Sequence, residues 1–171
     1  MPLSSKLIAA FMKKSSIIFL QVVIVLVGIG VLSFMLWEPH LEGRNAHATL
    51  FEIYFKDPFL AYAYIASIPF FVALYQAFTL LGYIWQNKVF SLNSVKTLRT
   101  IKYCALALVA FIVGAALYIR IFHADGDDPA GFIALCIVTT FFSILIATAA
   151  GVFEKLLQSA VEIKSENDLT V

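Results

Sequence analysis

The segment FLAYAYIASIPFFVALYQAFTLLGYIWQNKVFSLNSVKTLRTIK occupies residues 59–102 and decides the fold. Its first part, up to Gln86, contains no charged residue and is longer than the roughly 20 apolar residues that a helix needs to cross a bilayer. Its second part, from Asn87 to Lys102, carries four cations and no acid. This order is typical of a membrane helix that ends at the cytoplasmic surface.

The composition of the whole chain supports a membrane location. Of the 171 residues, 61% are hydrophobic and 13% are charged, whereas soluble domains are about 45–50% apolar. Because the formal net charge is only +1, there is no basic excess to favour direct binding to nucleic acid. The sequence therefore predicts a protein whose main partner is the lipid bilayer.

Four apolar runs predict an all-α membrane protein, a four-transmembrane-helix bundle formed by a single domain of residues 1–171. The runs cover about residues 16–37, 59–86, 103–122 and 132–153. After the last run come an amphipathic extension, KLLQSAVEIK at residues 155–164, which leaves the membrane, and a short polar tail. The first run follows a basic segment, as in a signal peptide, but it exceeds the roughly 7–15 apolar residues of such a signal. We therefore expect an uncleaved first helix.

The distribution of cations predicts the orientation of the bundle. Placing both termini and the loop at 87–102 on one side leaves only Arg44, Lys56 and Arg120 on the other. Since positive charge marks the cytoplasmic side, both termini are predicted to be cytoplasmic in a multi-pass protein of the cell membrane. The cations on that side are Lys6, Lys13, Lys14, Lys88, Lys96, Arg99, Lys102, Lys155 and Lys164.

Two local signals refine the helices. Pro69 lies inside the second run, so the carbonyl of Ile65 loses its usual donor and a kink is expected, with the Ser67 hydroxyl near enough to compensate. Asn93 and Ser94 are residues that favour a helix N-cap, which indicates that the third helix begins before it enters the lipid.

Small residues recur at four-residue steps in the third and fourth runs, a spacing that places them on one helix face. Small side chains let membrane helices approach closely, so we expect the two stripes to face each other. The alternative is that Ala and Gly are simply common in membrane helices. Gln76 is interpreted as a bond between helices rather than as a substrate ligand. The residues assigned to packing are Ala110, Gly114, Ser143, Ala147, Gly151, Pro69 and Gln76.

The sequence contains no catalytic, phosphate-binding or metal-ligand motif, which predicts a non-enzymatic protein without a cofactor. His40, His47 and His123 lie near acids in the two outer connections and leave cation binding open. Their spacing fits no compact site, and solvated loop residues are the favoured interpretation. Cys104 and Cys136 lie in apolar runs, where free thiols are favoured over a disulfide.

Two stretches of the chain carry a family resemblance. The strings Ile68-Pro-Phe-Phe-x-Ala-Leu-Tyr-Gln76, Asn87-Lys88-x-Phe90-Ser91, Ser94-Val95-Lys96 and Ile101-Lys-Tyr-Cys-Ala105, with the ending Ile163–Val171, resemble the bacterial membrane family called domain of unknown function 2975. The resemblance implies a small four-span protein with no established biochemical activity. Members of this family are often encoded beside a small helix-turn-helix regulator, which implies a cytoplasmic DNA-binding partner.

Two functions remain open from the sequence. The first is docking of that regulator on the cytoplasmic face of a monomer or homo-oligomer. The second is a small transporter or efflux component, whose path would be lined by Pro69, Gln76 and the tyrosines Tyr62, Tyr64 and Tyr75. The residues predicted to dock a partner are Lys88, Lys96, Arg99, Lys102, Glu162, Lys164, Asp168 and Val171.

Overall fold

The computed structural model describes the backbone of residues 2–41, 58–122 and 130–169, and the side chains of residues 14–37, 59–121 and 130–167. This part of the chain forms four α-helices, α1 (Pro2–Leu41), α2 (Pro58–Trp85), α3 (Leu92–Phe122) and α4 (Ala130–Leu169). Each contains a segment that is long and apolar enough to cross a membrane. The predicted all-α, four-span fold is confirmed.

The helices pack in chain order. The closest packing is between α3 and α4, α2 also packs on α3, and α1 packs mainly on α2. Large apolar side chains such as Phe19, Leu26 and Phe141 point away from these contacts and are exposed. In a membrane these side chains face lipid, so the contacts between helices depend on close packing and on a few polar bonds.

Helix α4 is longer than the apolar run that predicted it. It continues without a break from Ala130 to Leu169, over 40 residues. At 1.5 Å per residue it is about 60 Å long, whereas the hydrocarbon core of a bilayer is about 30 Å thick. About half of α4 therefore lies outside the hydrocarbon, and the amphipathic segment after residue 153 is a continuation of the membrane helix.

The first turn of α3 differs from the predicted cap at Asn93 and Ser94. The helix begins at Leu92, and the amide of Ser94 donates to the Ser91 hydroxyl at 3.3 Å, so Ser91 is the N-cap. The Ser94 hydroxyl is fully buried and donates to the carbonyl of Lys88 at 3.3 Å. Ser94 therefore ties the loop to the helix instead of capping it.

Pro69 lies inside α2, which continues through it from Pro58 to Trp85. The Ser67 hydroxyl donates to the carbonyl of Tyr64 at 2.7 Å. That acceptor is the neighbour of the carbonyl freed at Ile65. The prediction that Ser67 compensates for the proline is therefore wrong.

The two stripes of small residues do not face each other throughout. Ser143 and Ala147 are buried in α4, and a Cβ atom added at Gly151 would meet Lys102 of α3 at 3.3 Å. In α3, however, Ala110 is exposed and Gly114 faces α2, where its missing Cβ leaves room for the hydroxyl of Tyr62. The prediction is therefore wrong for the α3 stripe, because a four-residue step defines a face without defining its neighbour.

The sequence also makes predictions for the two cysteines and for the histidines of the outer connections. Cys104 and Cys136 form no disulfide, so the prediction of free thiols is confirmed. His47, His123 and the acidic residues at 125–128 lie outside the described residues, as does the side chain of His40.

Candidate docking face at the basic end of the bundle

The basic end of the bundle is the end at which α2 stops, α3 starts and α4 leaves the membrane. The loop from Gln86 to Ser91 joins α2 to α3 there, and Asn87 adopts a positive φ of 54° at its turn. The ammonium of Lys14 in α1 lies 5.2 Å from the centre of the Trp85 ring. A cation over an indole ring contributes about 0.5–1 kcal/mol at an exposed site. This contact brings α1 to the same end.

A buried carboxylate joins α3 to α4 at the basic end. Glu154 is only 5% exposed. One of its oxygens accepts a bond from Nε of Arg99 at 2.6 Å, and the other accepts one from Nζ of Lys102 at 2.6 Å. Charge-assisted bonds of this length are stronger than neutral ones. We call these three residues the ion-pair clamp, and it fixes the position of α4 relative to α3 where both helices leave the lipid.

The clamp changes which predicted docking residues are available to a partner. Arg99 and Lys102 have their charges directed at Glu154, so they serve the packing of the bundle first. Lys88 and Lys96 are exposed and form no ion pair with any side chain described at this end. The surface that a partner meets here is therefore less basic than the loop sequence indicates.

The part of α4 beyond the clamp exposes an apolar stripe. Leu156 is 62% exposed and Ile163 is 60% exposed. They lie seven residues apart and so share one face of the helix. Glu162 and Lys164 flank Ile163, and Glu162 accepts a bond from Gln158 one turn earlier at 3.1 Å. We call Leu156 and Ile163 the α4 stripe. The side chain of Asp168 and all of Val171 lie outside the described residues.

Comparison with known proteins gives the family. The family model described as "Protein of unknown function (DUF2975)" matches residues 42–171. The chain belongs to the DUF2975 family. "Uncharacterized membrane protein YoaS" from Bacillus subtilis (strain 168) is 42% identical over 161 residues, which are 94% of this chain and 100% of YoaS. No solved structure gives a significant match.

The extent of the DUF2975 match agrees with the packing of the helices. It begins after α1, whose main contact is with α2, and it includes the whole of α2, α3 and α4. The ion-pair clamp and the α4 stripe therefore both lie within the DUF2975 region.

The role of Glu154 at the basic end of this DUF2975 protein was not predicted from the sequence. The predicted fourth span ends at Phe153, so Glu154 looks like the first residue of a solvated extension. A signal was present nevertheless. Glu154 lies three residues after Gly151 and seven after Ala147, on the same face as the small residues of α4. An acid on a packing face opposite a basic loop predicts an ion pair.

The residues proposed for a transport path do not converge on one cavity. A cavity among the described helices has a volume of about 570 Å³ and is lined by side chains from all four of them, including Tyr62. Pro69, Gln76, Tyr64 and Tyr75 are not among its lining residues. Tyr64 donates to the carbonyl of Met35 at 3.2 Å, and Tyr75 is exposed. This arrangement gives the transporter hypothesis no support.

Proposed function

We propose that this DUF2975 protein is a non-enzymatic membrane protein that acts through its cytoplasmic face. In this proposal the projecting part of α4 binds a soluble protein, and the family resemblance makes a small helix-turn-helix transcriptional regulator the expected partner. The single observation that carries the proposal is the α4 stripe, two large apolar side chains exposed on one face of α4 beyond the ion-pair clamp.

The position of Ile163 supports binding to protein rather than burial in lipid. Ile163 lies nine residues beyond the buried Glu154, which is about 14 Å along the helix. An apolar side chain exposed to water at that distance gains free energy when a partner covers it, by about 1.5–3 kcal/mol for an isoleucine. The spacing of Leu156 and Ile163 suits an amphipathic helix or a helical groove of the partner.

Replacing Ile163 by glutamate is expected to lower retention of the regulator at least tenfold, because the change puts a charge at the centre of the apolar contact. The measurement is purification of the tagged protein in mild detergent from its own bacterium, followed by identification of the DNA-binding proteins that remain bound.

Ser165→Glu is the matched control for this experiment. It adds the same charge two residues further along α4, on the opposite side of the helix from Ile163, and retention should be unchanged. The proposal fails if the wild-type protein retains no DNA-binding protein, or if Ile163→Glu retains as much of it as Ser165→Glu does.

The proposal also requires that the basic end faces the cytoplasm. A green fluorescent protein fused after Val171 should therefore fluoresce, and alkaline phosphatase fused at the same point should be inactive, because the latter requires export to fold. Active phosphatase with a dark fluorescent fusion would place the α4 stripe outside the cell and remove the regulator from its reach.

A further inference from the structure

An apolar groove lies at the basic end between α2 and α4, with α3 as its floor. Its volume is about 370 Å³. All of the residues that line it are apolar. They include Leu80 and Ile84 of α2, Val89 of the loop, Leu98 of α3, and Phe153, Leu156 and Leu157 of α4. We call this the interface groove, because Ile84 is next to Trp85, and tryptophan favours the boundary between lipid and water.

The rim of the interface groove is positively charged. Lys88 precedes the lining residue Val89, is exposed, and forms no ion pair with a described side chain. Lys14 lies over Trp85, the residue that follows the lining residue Ile84. The loop between α2 and α3 contains no acid. The buried carboxylate of Glu154 is already shared by two cations, so it does not neutralise Lys88.

The first turn of α3 adds donors beside Lys88. The hydrogen bond from the Ser94 hydroxyl to the Lys88 carbonyl holds Lys88 next to this turn. The amides of Ser94 and Val95 are satisfied by Ser91. The amides of Leu92 and Asn93 have no acceptor among the described residues. Free amides at the positive end of a helix are suited to bind a phosphate.

We propose that the interface groove is a binding site for an anionic phospholipid. The acyl chain lies between α2 and α4, and the phosphate lies between the ammonium of Lys88 and the first amides of α3. An apolar groove with a basic rim, at the level of the lipid headgroups, matches both halves of such a molecule. Leu156 of the α4 stripe also lines this groove, but the inference does not depend on Ile163 or on any soluble partner.

Charge favours a lipid over a second copy of the chain as the occupant. A second copy seated on the same groove in a symmetric dimer brings a second basic loop against the first, and like charges in close contact oppose association. An anionic phospholipid brings the opposite charge to Lys88, and the membrane supplies it at high local concentration.

The site can be tested by fluorescence, since the chain contains only two tryptophans and Trp85 is next to the groove. The Trp37→Phe variant leaves Trp85 as the single reporter. This variant is reconstituted in vesicles of phosphatidylcholine and phosphatidylglycerol, in which one of the two lipids is brominated on its acyl chains. Quenching of Trp85 by each brominated lipid gives the relative binding constant of the anionic lipid.

The expected preference for phosphatidylglycerol is about fivefold, which corresponds to about 1 kcal/mol for a cation at the membrane surface. In the same background, Lys88→Gln should reduce the preference to about one. Arg120→Gln removes an equal charge from the opposite end of the bundle and should leave the preference unchanged.

Three results would overturn the inference. The first is equal quenching by the two lipids when Lys88 is intact. The second is a preference that Lys88→Gln does not reduce, because the headgroup is then held elsewhere. The third is absence of quenching by either lipid together with a dimer in the vesicles, because the groove is then covered by a second copy.

Discussion

Replacing Glu154 by glutamine is expected to destabilise the bundle by about 1.5–3 kcal/mol, the range for hydrogen bonds to a charged group. The change removes the negative charge that holds Arg99 and Lys102 at 2.6 Å each, while both cations remain. The cost should not be higher, since the Arg99 side chain is 51% exposed and can turn towards water. The measurement is thermal unfolding of the purified protein in mild detergent.

Glu162→Gln is the matched control for the clamp. It makes the same substitution two turns further along α4, at an exposed acid whose bond is with Gln158, and exposed pairs of this kind contribute about 0.5 kcal/mol or less. Lys102→Met should cost less in the Glu154→Gln background than in the wild type, because its partner has already been lost. Equal effects of Glu154→Gln and Glu162→Gln would show that the clamp does not hold α3 and α4 together.

Replacing Gly114 by alanine is expected to destabilise the contact between α2 and α3 by about 1–3 kcal/mol, the usual cost of adding a methyl group to a packed site. A Cβ atom at this position would lie 2.7 Å from the hydroxyl oxygen of Tyr62. That hydroxyl donates to the carbonyl of Phe111 at 2.7 Å. The two rings also meet edge to face, with centres 5.7 Å apart. Moving Tyr62 therefore disturbs both the bond and the ring contact.

Tyr62→Phe provides the second arm of a double-mutant cycle. It removes the oxygen, and the next atom of the ring is 3.8 Å from the added methyl group, an ordinary contact. Tyr62→Phe alone should cost about 0.6 kcal/mol, the average for a hydrogen bond between membrane helices. In its background Gly114→Ala should be close to neutral. If Gly114→Ala is equally costly in both backgrounds, the hydroxyl of Tyr62 does not determine the requirement for glycine.

The four spans could be predicted from the sequence because a membrane helix needs only a long apolar run, which is a local property. The start of α3 was less predictable, since Ser91, Asn93 and Ser94 are all residue types that favour a cap. Only the hydrogen bond from the Ser94 amide to the Ser91 hydroxyl selects Ser91. The neighbour of Gly114 could not be predicted either. Its spacing from Ala110 defines a helix face, but whether that face meets α2 or α4 depends on the rotation of α3 within the bundle.

The ion-pair clamp shows that the charges of one loop do not by themselves give the charge of the surface to which the loop belongs. Arg99 and Lys102 were assigned to a docking surface because their own loop contains no acid. Their partner Glu154 lies more than fifty residues later in the chain, so only the pairing of α3 with α4 brings the charges together. The α4 stripe was partly visible in the sequence as an amphipathic extension. The exposure of its two side chains, however, depends on α4 extending beyond the ends of the neighbouring helices.

The continuity of α4 has a mechanical consequence. A helix without a break between Glu154 and Leu169 transmits tilt and rotation along its axis, because bending it would break backbone hydrogen bonds. A force on the C-terminal end of α4 is therefore transmitted along the helix to the carboxylate of Glu154. Through Arg99 and Lys102 it is then transmitted to α3. The same rigidity fixes the distance of Ile163 from the ion-pair clamp, and in the proposed complex it would hold the bound protein at that distance and in a defined direction.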